Sequence, residues 1–222
     1  MTGEVQIGVT GGLDGSWSKY RSAWWTRYFN GELAHFWPAQ LDQSEQDADG
    51  YRWISRSGVF DIASTASPHR ELHTAVAAYV WGVGFSSRWR IGPLVRAFTR
   101  NADKVEDNLR RAASVLADDG AVAAYTAMAK GGCAWSKFMG PAYFTKYLFF
   151  IGYGQPDVEM RPLILDRRVA RALRARGIFD HRTGDTGWPS YLYRQYLTYC
   201  SEQNPADPVA VEIELFNEGG ND

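Results

Sequence analysis

The stretch that decides the fold runs from Gly131 to Leu173: GGCAWSKFMGPAYFTKYLFFIGYGQPDVEMRPLILDRRVARAL. Within it, the Gly140-Pro141 step separates two segments that can both be helical, because proline is tolerated at the first position of a helix and fixes φ there. We therefore predict a helical hairpin over about residues 131–152.

The second half of this hairpin carries a cation inside an apolar helix. Residues 141–151 are densely apolar, and Lys146 stands in their middle. A charge in such a position needs a partner or a cleft, because burying it without compensation is costly.

Asp166 is the predicted partner of Lys146. An apolar run, residues 162–165, leads to Asp166 at the start of an arginine-rich helix. Aspartate is a preferred N-cap residue, so the first N–H groups of the helix would orient its carboxylate. Only a short helix and a loop separate the two residues, so an amine and a carboxylate could return to share one reacting centre. The neighbouring arginines suit an anionic polymer.

These residues resemble those of the helix-hairpin-helix DNA glycosylases. In that family a hairpin grips the DNA backbone and an aspartate, matched here by Asp166, closes the Gly/Pro…Asp signature. The closer similarity is to bacterial proteins with an 8-oxoguanine DNA glycosylase fold, in which a Thr-Lys pair and a C-terminal Val-Glu…Leu-Phe…Gly helix recur. The matching residues, within about residues 70–219, are Thr145-Lys146, Val211-Glu212, Leu215-Phe216 and Gly219.

The resemblance implies a mainly α fold, the helix-hairpin-helix DNA glycosylase-like helical fold. The periodicity of the chain predicts helices through most of its length, two of them on either side of Gly120. A few short strands are expected near the N-terminus, with extended pieces in residues 53–62. We predict a single globular unit, residues 1–222, with an N-terminal lobe at 1–66 and a helical glycosylase-like core at 67–222.

The activity that the resemblance implies is that of a DNA glycosylase, which flips a damaged or modified base out of the duplex and excises it. The base would be 8-oxoguanine-like, or a modified base of invading phage DNA. Base removal develops positive charge on the sugar, as in glycoside hydrolysis. Asp166 would stabilise that charge or orient water. Lys146 would attack the sugar, form a Schiff base and permit strand cleavage, the lyase reaction.

Alternatives stay open for both residues and for the activity. In bifunctional relatives the Schiff-base lysine lies two residues after the last glycine of the hairpin, where this chain has Ala142. Either Lys146, one helical turn further on the same face, replaces it, or the chain is a monofunctional hydrolase that uses Asp166 alone. Lys146 could instead reach a phosphate or snorkel from its helix, and Asp166 could be a plain N-cap. The missing lysine also favours a noncatalytic DNA-binding protein of the same fold.

The predicted DNA contacts surround the hairpin. Amides at Gly140 and Ala142 would bind a phosphate, since unpaired N–H groups at a helix start attract anions. Arg167, Arg168 and Arg171 would add contacts to the DNA backbone. The candidates for stacking on the flipped base are Trp135, Phe144, Trp53 and Trp188, with core packing as the alternative for each. The expected partner is duplex DNA with a modified or damaged base, bound by a monomer.

The distribution of charge along the chain supports binding to DNA, whereas the net charge does not. The formal net charge is −1, whereas nucleic-acid-binding domains often carry a basic excess. Arginines are concentrated in residues 161–182, and acidic residues without any basic one occupy residues 202–222. A basic face and an acidic tail therefore cancel in the sum.

Other classes of protein find less support. Two cysteines are too few for a disulfide framework and fit a reducing cytoplasm. The longest apolar run, residues 147–151, is far too short to span a membrane, so no membrane association is predicted. His69 and His73 have the i, i+4 spacing of metal ligands, but the sequence shows no third ligand. We therefore predict neither a metal nor a cofactor.

Overall fold

A small sheet and short helical turns precede a set of packed helices. The computed structural model describes residues 16–83, 88–154 and 160–220. Strands β1 (Trp17–Tyr20) and β2 (Arg52–Ser55) pair antiparallel, with Lys19 opposite Trp53. These are the short N-terminal strands that the sequence predicted.

The rest of the described chain is mostly helical, which confirms the predicted fold class. Two 3₁₀ helices, Gly31–Phe36 and Ala39–Asp42, lie between the strands in the chain. The α-helices are α1 (Ser22–Thr26), α2 (Arg56–Ser64), α3 (Arg70–Val83), α4 (Arg88–Thr99), α5 (Val105–Met128), α6 (Pro141–Gly152), α7 (Arg167–Ala175), α8 (Ser190–Gln203) and α9 (Pro208–Glu218). Within the described ranges, no helix is both long enough and apolar enough to cross a membrane.

Helix α6 lies at the centre of the core. Its residues 144–152 are all buried, and it packs against α2, α3 and α5. A helix surrounded in this way is apolar on every face, which explains the composition of the segment. The buried apolar side chains form one cluster that extends from Tyr20 in β1 to Leu215 in α9. The proposed boundary between residues 66 and 67 is crossed by this cluster and stays a prediction.

Helix α5 is broken at Gly120. This glycine has φ 84° and ψ 178°, a left-handed conformation that glycine adopts without steric penalty. The predicted pair of helices on either side of Gly120 is thereby confirmed.

The first half of the predicted hairpin is not helical. Residues 131–140 form a series of turns, with Trp135 N–H donating to Gly132 O and Met139 N–H donating to Ser136 O. Phe138 has φ 70° in this loop, which a helix cannot accommodate. The two helical arms are the second half of α5 and α6, and residues 129–140 join them.

The prediction of extended pieces over residues 53–62 is only half right. Strand β2 ends at Ser55, and α2 begins at the next residue. The hydroxyl of Ser55 accepts a hydrogen bond from Gly58 N–H at 2.9 Å. Serine is a favoured N-cap, and this local signal starts the helix.

Candidate active site

Lys146 and Asp166 face each other in the structure. Nζ of Lys146 lies 3.5 Å from Oδ2 of Asp166 and donates a hydrogen bond to Ala142 O at 2.8 Å. The two side chains are 7% and 16% exposed. The pair is thus largely withdrawn from water without being sealed. Lys146 lies in the middle of α6, and Asp166 is the N-cap of α7.

The two carboxylate oxygens of Asp166 have different surroundings. Oδ1 accepts hydrogen bonds from Arg168 N–H at 2.9 Å and Val169 N–H at 3.2 Å, which caps α7 as predicted. Oδ2 faces the Lys146 ammonium. One oxygen therefore fixes the orientation of the carboxylate, and the other is directed at the amine.

Thr145, the first residue of the Thr-Lys pair, fixes the segment that carries Asp166. Its hydroxyl donates to Pro141 O at 2.7 Å and accepts from Leu165 N–H at 3.1 Å. The backbone of helix α6 is thereby linked to the residue immediately before Asp166.

Two tyrosines of α8 hold the same buried segment from the other side. The Tyr193 hydroxyl donates to Leu163 O at 2.9 Å and accepts from Leu163 N–H at 3.2 Å. The Tyr196 hydroxyl donates to Ile164 O at 2.9 Å. Side-chain hydroxyls thus satisfy backbone groups of this buried segment, which would otherwise be costly to bury.

Gly82 in α3 makes room for the Lys146 side chain. A Cβ at position 82 would lie 2.6 Å from Cδ and 2.7 Å from Cε of Lys146. From the sequence, Gly82 predicts only the end of α3. Its close approach to Lys146 depends on the packing of α3 against α6 and has no local signal.

A second ion pair, Arg56 with Glu212, lies near the first. Two hydrogen bonds of 3.0 and 3.3 Å join the guanidinium to the carboxylate, and the side chains are 5% and 1% exposed. Burial raises the pKa of the Glu212 carboxyl, and Arg56 opposes the rise. Asp166 raises the same pKa further and Lys146 lowers it, so the two pairs interact electrostatically.

The other residues of the C-terminal motif pack against the start of α7. The Arg168 guanidinium lies 4.8 Å from the centre of the Phe216 ring. A Cβ at Gly219 would collide with the backbone of Arg168. The motif Val-Glu…Leu-Phe…Gly is therefore a docking surface for the helix that Asp166 caps.

Tyr143 is the aromatic residue beside the pair. Nζ of Lys146 lies 5.7 Å from its ring centre, and the ring stacks on Tyr79 with centroids 4.4 Å apart. Burial raises the pKa of the Tyr143 phenol, with Asp166 adding to the rise and Arg90 opposing it. Tyr79 is fully buried, and its hydroxyl has no hydrogen-bond partner among the described residues.

The four aromatic residues suggested as base contacts lie in different places. Phe144 and Trp188 are 1% and 3% exposed and belong to the core, so a base has no access to them in this conformation. Trp53 is 45% exposed and lines a cavity with Trp17 that includes neither member of the Lys146–Asp166 pair. Trp135 is 39% exposed and lies in the loop before α6.

The arginines after Asp166 divide into two groups. Arg167 and Arg168 are exposed. Arg171 lies 3.8 Å from Asp185, Arg174 lies 2.6 Å from the same carboxylate, and Arg176 pairs with Glu218 at 2.5 Å. The start of α7 therefore presents basic groups to solvent, whereas its later arginines bind acidic neighbours.

The loop before α6 is held by two asparagines. Asn101, which is buried, donates to Lys137 O at 2.9 Å, and Asn108 donates to Trp135 O at 3.0 Å. Phe138 is 48% exposed, in a left-handed conformation, with Nζ of Lys137 5.1 Å from its ring centre. Such strain in an ordered, exposed aromatic residue marks a candidate functional position that the sequence did not reveal.

The start of α6 follows this loop directly. Gly140 is exposed and is the N-cap, Pro141 follows it without an N–H group, and no side chain caps the helix. Gly140 O accepts from Tyr143 N–H and Phe144 N–H. The N–H of Ala142 comes too early in the helix for an intrahelical partner, so this helix start can offer it to an anion.

The described chain is mostly helical, which is consistent with the DNA glycosylase-like class of protein, and it brings an amine and a carboxylate together. The family model described as "Putative 8-oxoguanine DNA glycosylase OGG-like protein" matches residues 11–216. The chain therefore belongs to this family, whose description implies that it binds DNA. No curated protein and no solved structure matches the chain. The helix-hairpin-helix superfamily and the roles of individual residues stay predictions.

Proposed function

We propose that the protein is a DNA glycosylase that flips and excises a damaged or modified base, with Asp166 and Lys146 as its catalytic residues. The observation that carries the proposal is the 3.5 Å approach of the amine to the carboxylate in a site that is not sealed from solvent. Asp166 lies at the start of α7, next to the exposed Arg167 and Arg168, whose basic side chains suit a polyanion.

Asp166 acts on the charge that develops on the sugar. When the glycosidic bond breaks, its electron pair leaves with the base and positive charge remains at the sugar carbon. Oδ2 is the oxygen available to stabilise this charge, because Oδ1 is bound to the first amides of α7. The cap holds the carboxylate in place before the reaction, so little reorganisation is needed.

The role of Lys146 determines whether the DNA strand is cleaved after the base has left. In the bifunctional reading, Nζ first loses a proton, for which Oδ2 of Asp166 is the neighbouring acceptor, and then bonds to the sugar carbon. The bond between this carbon and the ring oxygen then breaks, the oxygen takes up a proton, and an imine forms. Loss of a proton from the adjacent sugar carbon to a base expels the 3′ phosphate and cleaves the strand. In the monofunctional reading, a water molecule adds to the same carbon and leaves an intact strand with an abasic site.

The loop before α6 and the start of α7 supply the DNA contacts in this proposal. The amides at Gly140 and Ala142 bind a phosphate, with Lys137 beside them, and Arg167 and Arg168 bind a second stretch of backbone. Phe138 and Trp135 are exposed aromatic residues of the same loop.

Tyr143 takes the base-stacking role that the buried Phe144 does not offer. Its ring lies beside the amine and is backed by Tyr79, so it forms a rigid platform next to the reacting groups. Stacking on an aromatic ring is a common way of holding a flipped base.

A noncatalytic DNA-binding protein is the second candidate. The Lys146 ammonium donates to a backbone carbonyl as well as facing Asp166, contacts that a purely structural ion pair would also make. Ala142 occupies the position at which the bifunctional glycosylases have their Schiff-base lysine, and this also favours the noncatalytic protein.

A panel of duplexes, each with one modified base such as 8-oxoguanine or a bulky phage-type cytosine, tests the proposal. Released base or alkali-labile abasic sites are expected on at least one duplex. Borohydride should trap a covalent adduct if Lys146 is the nucleophile, and Lys146→Gln should abolish it while Lys130→Gln, a change at an exposed lysine, leaves it intact. Excision without an adduct assigns the reaction to Asp166 and water. Binding without excision on every duplex would favour the noncatalytic protein.

A further inference from the structure

Two histidines and a glutamate meet between the N-terminal 3₁₀ helix and the helical core. His35 lies in Gly31–Phe36, His69 lies just before α3, and Glu106 lies in the first turn of α5. One potential ligand atom from each lies within 4.8 Å of the other two. Nδ1 of His69 is 3.0 Å from Oε1 of Glu106, and the rings of His35 and His69 have centroids 4.8 Å apart.

We propose that His35, His69 and Glu106 bind a divalent transition metal, with Zn²⁺ as the best match. Two imidazole nitrogens and one carboxylate are a common zinc ligand set, and a water molecule fills the fourth position where the site stays open. The exposure of His35 leaves that position accessible. Of the two histidines at i, i+4 spacing, only His69 is a ligand here. His35 and Glu106 complete the set, and their positions next to His69 depend on tertiary packing.

The spacing of the three groups fits a metal after a small adjustment. Tetrahedral zinc with bonds of about 2.1 Å places its ligand atoms about 3.4 Å apart. The three ligand atoms all lie within 4.8 Å of one another, and His69 and Glu106 are already 3.0 Å apart, so the adjustment that the proposal requires is a rotation of the exposed His35 ring.

Arg110 is the neighbouring charge that a metal must displace from Glu106. Its guanidinium contacts Glu106 and also donates to Asp107 Oδ1 at 2.7 Å. The described contacts of Glu106 with His69 and Arg110 both use Oε1. When a metal takes its place beside Glu106, Arg110 keeps Asp107 as a partner, so no buried charge is left unpaired.

His73 holds one of the ligands in position. Its Nε2 lies 2.9 Å from His35 O, a contact that ties the backbone of the 3₁₀ helix to α3. Outer contacts of this kind orient metal ligands in proteins. His73 is accordingly placed as a support and not as a ligand.

The site would fasten the N-terminal segment to the core. Its ligands come from a 3₁₀ helix, the entrance to α3 and the start of α5, which are distant in the chain. A ligand that binds only the folded protein stabilises it by mass action, so Zn²⁺ should raise the unfolding temperature. None of these residues belongs to the Lys146–Asp166 pair, so the site is independent of the proposed enzymatic activity.

The test is a titration of the chelator-treated, full-length protein with ZnCl₂, followed by calorimetry and by thermal unfolding. We expect one saturable site per chain and a higher unfolding temperature. His35→Gln and His69→Gln should each weaken binding by more than about tenfold, since even loss of an outer contact costs about 10–100-fold. His181→Gln alters a histidine that is 82% exposed and should leave binding unchanged.

Cobalt serves as a second readout. Bound Co²⁺ in a site of low coordination number should give visible absorption in the wild-type protein and in His181→Gln, but not in His35→Gln. The metal-free variants should unfold at the temperature of the metal-free wild-type protein, which separates a lost ligand from a damaged fold. Absence of saturable binding, or binding that persists unchanged in both ligand variants, would overturn the proposal.

Discussion

The molecule contains two neighbouring ion pairs that are built differently. Arg56 and Glu212 are joined by two hydrogen bonds and are almost completely buried. Lys146 and Asp166 approach only to 3.5 Å, with Asp166 partly exposed and one of its oxygens bound to backbone amides. Arginine stays protonated in proteins and matches a carboxylate with a planar fork, whereas lysine can lose its proton.

This difference agrees with our proposal that the first pair is structural and the second is catalytic. The first pair links α2 to α9 and fixes the surface on which α7 docks. In the second pair, a primary amine faces a single carboxylate oxygen, Oδ2 of Asp166. If the proposal holds, the two pairs have different functions although each joins one cation to one carboxylate, and variants of the two should behave differently.

The largest effect is expected from leaving Arg56 without its partner. Glu212→Leu should lower the free energy of unfolding by about 3–5 kcal/mol, because an arginine charge remains buried and uncompensated. Chemical denaturation measures the loss. The double variant Arg56→Met, Glu212→Leu should recover most of the stability. A loss no greater than that of an exposed ion pair would remove the structural role assigned to this pair.

Asp166→Asn should mainly lower the rate of base release, whereas Glu212→Leu mainly lowers stability. Asparagine caps a helix about as well as aspartate, and Lys146 keeps its hydrogen bond to Ala142 O, so the unfolding free energy should fall by less than in Glu212→Leu and the DNA affinity should change little. Base release should fall by about 10²–10³-fold, the usual effect of removing one group that stabilises charge in the transition state. Single-turnover excision on a substrate duplex gives the rate. Near-full activity in this variant would exclude Asp166 from the chemistry.

Gly82→Ala sharpens the comparison, because it disturbs Lys146 without removing it. A methyl group at this position collides with the lysine stem, so the amine should be displaced and excision should fall by about tenfold or more. The effect on stability should be small, since the colliding atoms belong to a flexible side chain. Gly58→Ala, which meets neighbours at an ordinary 3.4 Å, is the matched control and should excise normally.

The smallest effect is expected from removing a single contact between an arginine and the DNA backbone. Affinity for duplex DNA should fall steeply with salt, and Arg167→Gln should reduce the slope of log K against log salt by about 1. Arg176 is bound to Glu218, so Arg176→Gln should leave the slope almost unchanged. Fluorescence anisotropy at several salt concentrations measures both variants. A flat salt dependence of the wild-type protein would count against a basic DNA-binding face.

Local signals in the sequence predicted the local parts of the site. Asp166 stands before a helical pattern and therefore caps α7, and the apolar composition of α6 predicts its central position. The wrong predictions of secondary structure also arose from local features. Ser55 is an N-cap inside a stretch predicted as extended, and the positive φ of Phe138 in a loop predicted as helix has no sequence signature when the residue is not glycine.

The remaining parts of the site depend on contacts between distant segments. Arg56 and Glu212 are separated by 156 residues, and nothing in either neighbourhood indicates the other. Glu106 joins the histidine cluster from a different helix. The burial of Phe144 depends on which face of α6 meets its neighbours, and all its faces are apolar, so periodicity could not decide between core and pocket.

The side-chain hydroxyl groups that bind residues 163–165 determine how precisely the following residue, Asp166, is positioned. A strand in a sheet can shift by two residues and recover equivalent hydrogen bonds, because its ladder is periodic. The Thr145 and Tyr193 hydroxyls instead stand at fixed places on α6 and α8 and bind the backbone of Leu165 and Leu163, just before Asp166. The position of the Asp166 carboxylate is therefore fixed by individual side-chain oxygen atoms and not by a repeating ladder of backbone hydrogen bonds.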